Sequence, residues 1–177
     1  MRAYPEADVA RSPLLAGPSR LSDNRRTMAL WQFDLFLVPR RGSVPTLGAD
    51  GWVLPVVPAP AVHFARALAT SWLGEPRLIC EDIAVFGAET GNRIDVLPGE
   101  DGGAEICVRI DARKESLEFC RLLYELSSGL DCKFFSPEFA SEIGTEVRDL
   151  VEALMRSRAW GYALDPAATV RRLAKGP

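Results

Sequence analysis

The chain has 177 residues, a formal net charge of −3, 47% hydrophobic and 25% charged residues. That length supports one domain with a real hydrophobic core, and the composition is that of an ordinary soluble globular protein. The acidic balance argues against nucleic acid as a partner, because a basic face is the usual footprint, and no stretch reaches the roughly 18 apolar residues of a membrane span.

Residues 1–27 show no hydrophobic period and are rich in Arg, Pro, Ser and Ala. They predict a disordered leader ahead of a single domain over 28–177; the alternative is an arm that docks on a partner. Residues 31–38 alternate and then become wholly apolar, the pattern of a strand, which Pro39 ends. Residues 39–60 hold five prolines and read as a loop, with a short edge strand at 51–54. Pro60 opens a helix to Leu73, with Phe64, Leu68 and Trp72 on one face and Gly74 ending it.

Three strands are expected at 77–86, 93–97 and 104–110, joined by turn chemistry at 89–92 and 98–103. Together they predict an antiparallel meander. In the third, Ile106, Val108 and Ile110 share one face; Glu105, Cys107 and Arg109 share the other. Asp111 or Ser116 caps a helix that runs to about Ser127, and Gly129 stops it. Residues 132–135 form a short strand that a helical crossover reaches, so it is expected parallel to its partner. Ser136-Pro137 starts what reads as the longest helix, with Phe139, Ile143, Val147, Leu150, Val151 and Leu154 at 3–4 spacing to about Ser157. Asp165-Pro166 caps a short terminal helix ending near Lys175. The order predicts an α+β domain with a mixed, mainly antiparallel sheet and helices packed on one or both faces.

Chemistry-bearing residues are few. Cys80, Cys107, Cys120 and Cys132 form no C-x-x-C pair and there is one histidine, which argues against structural zinc and fits a reducing cytoplasm. His63 is the single candidate imidazole base, and it sits inside the first helix pattern. No nucleophile elbow, phosphate-cradling loop or dinucleotide fingerprint occurs, so no catalytic residue and no cofactor is assigned.

The tripeptide Arg-Ile-Asp occurs twice, at Arg93–Asp95 and Arg109–Asp111. If these strands are neighbours, Arg93 and Asp95 are expected to face Asp111 and Arg109 across the ladder, each pair contributing roughly 0.2–1 kcal/mol. The segment Gly91-Asn92-Arg93-Ile94-Asp95-Val96-Leu97 and the turn after it also resemble the core of PD-(D/E)xK nucleases. The resemblance implies Asp95 as a metal ligand; Glu81 and Asp82 are alternative carboxylates that could join it. It departs where the family has Glu-x-Lys, since Arg109 and Asp111 fall there. Mg²⁺ needs carboxylate oxygens, and a guanidinium beside Asp95 repels it. A degenerate nuclease, or an accessory domain of unassigned role, is the alternative reading.

A broader likeness runs from residue 28 onward. The 31–39 strand, the 91–96 segment, Val108-Arg109-Ile110-Asp111 and the closing Asp165-Pro166 look like small bacterial immunity proteins that accompany polymorphic or contact-delivered toxins. That resemblance implies a non-enzymatic cytoplasmic protein that binds a cognate toxin, with no nucleic acid and no membrane as partner. Such a protein needs a scaffold, complementary charge and a few anchors. Candidate anchors are Trp52, Trp160 and Tyr162; candidate charges are Glu81, Asp82, Glu89, Glu100 and Asp101.

Overall fold

The computed structural model describes residues 29–79, 82–114 and 116–175. The expected leader at 1–27, Cys80 and Glu81 lie outside the described residues. The apolar alternation in the sequence becomes one large sheet. Its strands are β1 (Gln32–Pro39), β4 (Arg77–Ile79), β5 (Ile83–Gly87), β6 (Arg93–Pro98), β7 (Ala104–Asp111), β8 (Cys132–Ser136) and β9 (Ser141–Ile143). They lie in the order β4-β5-β6-β7-β1-β8-β9. Two further strands, β2 (Thr46–Gly48) and β3 (Gly51–Val53), form a separate hairpin within the proline-rich loop. The helices are α1 (Ala59–Leu73), α2 (Leu117–Gly129), α3 (Val147–Arg156), α4 (Arg158–Leu164) and α5 (Pro166–Ala174). The domain is α+β, as expected.

Period-2 alternation puts Phe33, Leu35, Leu37, Ile94, Val96, Ile106, Val108 and Ile110 on one face of the sheet, all at most 2% exposed. They join a single core with Ala65 and Ala69 of α1, Leu122, Leu123 and Leu126 of α2, Leu150 and Leu154 of α3, and Ala159 of α4. These four helices therefore cover one face; on the opposite one, termed the open face, Val38, Val85, Cys107 and Phe135 are nonetheless at most 3% exposed. The hairpin reaches that open face where Trp52 meets Phe135 edge-on at 4.7 Å.

The meander is present as β5, β6 and β7. The 77–86 run is two strands, however, β4 and β5, paired antiparallel with each other. The strand at 132–136 differs more. It lies antiparallel to β1, not parallel to a neighbour. The α2 crossover does make β7 and β8 run in the same direction, but β1 is inserted between them and is antiparallel to both. A crossover rule read along the chain has no information about a strand 65 or more residues upstream occupying the slot between.

The predicted long helix from Ser136 is also corrected. Its first third is the β8–β9 hairpin, and helix begins only at Val147. Ala140 turns the hairpin at φ 49°, and Phe139 packs 5.7 Å from Phe33 instead of continuing a helical stripe. Its C-terminal end is close to expectation, because Ser157 caps a new helix, accepting a hydrogen bond from Trp160 N. The terminal helix matches the sequence reading: the Asp165 carboxylate accepts from Ala168 N at 2.8 Å, with Pro166 following.

Candidate functional site

The open face gathers the charges that alternation sends away from the core. Asp34 of β1 lies opposite Arg109 of β7, and Arg109 lies opposite Arg93 of β6. Asp95 lies opposite Cys107. The expected facing of Arg93 and Asp95 with Asp111 and Arg109 is therefore shifted along the ladder. Arg93 Nη2 donates to Asp95 Oδ2 of its own strand at 2.7 Å. Arg109 Nε sits 3.4 Å from Asp34 Oδ1 and 3.8 Å from Asp95 Oδ2. Burial pushes the Asp34 carboxyl up to about 6, against the pull of Arg109 and with help from Asp95. Burial likewise raises the Glu105 carboxyl and, far more, the enclosed Cys107 thiol.

Asp111 pairs elsewhere, at the lower end of the sheet where β1 begins and β7 ends. Its two carboxylate oxygens accept a fork from Arg113 Nε and Nη2, each at 3.0 Å. Burial pushes the Asp111 carboxyl upward, but the Arg113 hydrogen bonds and charge outweigh it and hold the group below its usual range. Arg113 Nη2 also donates to the Thr90 carbonyl at 2.8 Å, and its guanidinium lies 4.2 Å over the Trp31 ring. Trp31 in turn is 6.2 Å from the Tyr162 ring. Asn92 Oδ1 accepts from Asp111 N at 2.8 Å, which locks the 88–92 turn to the end of β7.

This arrangement brings two sequence candidates near one another. Tyr162 stacks beside Trp31, and exposed Glu89 lies in the turn beneath, paired with Arg77 at 3.2 Å. Asp82 and Asp101 are exposed at the opposite end, on the neighbouring β4–β5 and β6–β7 turns. Glu100 belongs to that same upper turn. Trp52 lies half-buried against Phe135, and Trp160 packs against the core. Trp31 and Asn92 enter the sequence reading only as members of longer segments, and Arg113 does not enter it; the contact between Trp31 and Arg113 depends on strand order. Asp34 left a fainter signal, as a charge inside an otherwise apolar strand.

The nuclease-like reading fits these residues poorly. Asp95 is flanked by two guanidinium groups, and the surroundings of a hard divalent cation should be carboxylate-rich instead. Among the described residues no group of three His, Cys, Asp or Glu side chains is placed to hold a metal ion. His63 is exposed on α1, on the helix-covered side of the sheet and away from Asp95. Among the described residues no helix is long and apolar enough to cross a membrane. Comparison with protein-family models, with curated proteins and with solved structures finds no match for this chain.

Proposed function

We propose that this chain is a non-enzymatic binding protein of the immunity type, which neutralises a cognate bacterial toxin by direct contact in the cytoplasm. The observation that supports this reading is the lower end of the sheet. Trp31, Tyr162 and Arg113 are the residue types that dominate interface energetics. They are held against one another and against fixed backbone acceptors, beside exposed Leu30 and Glu89. A patch ordered before association loses little side-chain entropy on binding. A cytoplasmic setting is supported by Cys107 and Cys132, which are buried as thiols.

The test is co-expression with the product of a toxin-like reading frame beside its own gene. Relief of toxicity and a complex in the nanomolar range are expected. Trp31→Ala, with its fold checked by circular dichroism, should weaken that complex by about 30-fold, the loss of a hot-spot side chain worth about 2 kcal/mol. The reading fails if the wild-type chain neither relieves toxicity nor binds the neighbouring product.

A further inference from the structure

The two carboxylates on the open face are not compensated alike. Asp95 accepts a hydrogen bond from Arg93 at 2.7 Å and has Arg109 Nε at 3.8 Å. Asp34 has Arg109 Nε as its one ion-pair partner among the described residues, at 3.4 Å, with the Arg93 charge acting from farther off. The Oδ1 atoms of both carboxylates take part in no hydrogen bond among the described residues, but no guanidinium donates to Asp34 as Arg93 does to Asp95. The Asp34 side chain is 9% exposed, so solvent does little to make up the deficit. Arg109 Nε likewise has no aligned acceptor; it is shared between two carboxylates and held firmly by neither. Glu105 and Cys107 of β7 are the other titratable groups facing the cluster, and neither is a cation at neutral pH. Farther along the same face Asp111 is taken by Arg113, and Glu142 by Lys133. The neighbouring strand β5 offers only Val85 opposite Asp95.

We propose that this cluster is a proton-operated switch, in which Asp34 takes up a proton on mild acidification and releases Arg109 to Asp95, loosening the side-chain tie between β1 and β7. One proton moves from solvent to the Asp34 carboxylate, and the net charge of Asp34, Arg93, Asp95 and Arg109 rises from zero to +1. The raised Asp34 carboxyl, at about 6, places the change within a unit or so of neutrality. Asp95 keeps its Arg93 partner throughout, so the two carboxylates have separate roles: one gives up its charge and the other receives the guanidinium.

The experiment is urea unfolding of the full chain and of Asp34→Asn between pH 4 and 8. A carboxyl that holds its proton more tightly in the folded than in the unfolded chain makes stability fall as pH rises between the unfolded value, about 3.9, and the folded one. Across that window the unfolding constant of the wild type should rise with pH by up to tenfold per unit more than that of Asp34→Asn. Above pH 7 the two profiles should run parallel, separated only by a constant offset. Arg109→Gln removes the nearer of the two cations that hold the Asp34 carboxyl down and should move the window upward. Parallel profiles at every pH, or a window moved downward by Arg109→Gln, would overturn the proposal. Should either variant fail to fold, the Asp34 carboxyl ¹³C shift of the wild type decides: a midpoint near 6 supports the switch and one near 4 removes it.

Discussion

Gly87 sits at φ +91° where β5 turns toward β6, and a Cβ there would lie 2.5 Å from the Asn92 carbonyl oxygen. Both the backbone conformation and the space exclude a side chain. Gly87→Ala should cost about 2 kcal/mol or more by denaturant unfolding; a change within about 0.5 kcal/mol would mean the turn relaxes freely. Asp111 makes a second residue-scale case, and its sign is opposite to that of Asp34. Its folded carboxyl is held below the usual range, so its contribution is present above about pH 3.9 and fades as the pH falls through the folded value. Arg113→Gln should therefore lower the melting temperature at pH 7, and the gap to wild type should close on acidification below about pH 4. A gap that stays constant with pH would show that Arg113 acts through its Trp31 contact and not through Asp111.

At the scale of elements, α1 shows what a stripe does and does not reveal. The spacing of Phe64, Leu68 and Trp72 identified a helix correctly. Yet Phe64 and Trp72 are 43% and 42% exposed, while Ala65 and Ala69, at most 1% exposed, face the sheet. Small residues let the helix axis approach closely, and the large ones flank the contact; the Phe64 ring occupies the space a Cβ on Gly129 of α2 would need. Ala69→Leu should thus destabilise by about 1–3 kcal/mol through overpacking. Trp72→Gln, judged by the same urea titration, should cost under about 1 kcal/mol. The reverse ranking would place the stripe, not the alanines, in the core. The repeated Arg-Ile-Asp behaves similarly. Alternation alone put the isoleucines inward and the charges outward, but the identity of each partner followed from register. Asp34, outside both tripeptides, became the partner of Arg109.

At the scale of the whole molecule, a single core joins four helices and six strands of the large sheet; edge strand β4 is exposed and contributes no side chain to it. Leu37 of β1 and Leu122 of α2 are both fully buried, far apart in sequence and in one cluster. Leu37→Ala and Leu122→Ala should each remove about 2–5 kcal/mol. In both variants tryptophan fluorescence and far-ultraviolet circular dichroism should report coincident transitions. Separated transitions would mean that the sheet and its helices unfold as distinct units. Central β1 is the reason cooperativity is expected: it is hydrogen-bonded to both β7 and β8, so neither half of the sheet closes without it.

Local pattern by itself determined the α+β class, the meander, the three helices α1, α2 and α5, and the outward direction of the repeated charges, because alternation, caps and breakers act over a few residues. What only tertiary structure decided is long-range. The insertion of β1 between β7 and β8 made an expected parallel strand antiparallel. The packing of Phe139 on Phe33 turned the start of an expected helix into a hairpin. The same strand order brought Trp31, Arg113 and Tyr162 together and left Asp34 sharing one guanidinium with Asp95. Partners drawn from different strands and helices leave no period in the chain, and their contacts arise only when one sheet places them side by side.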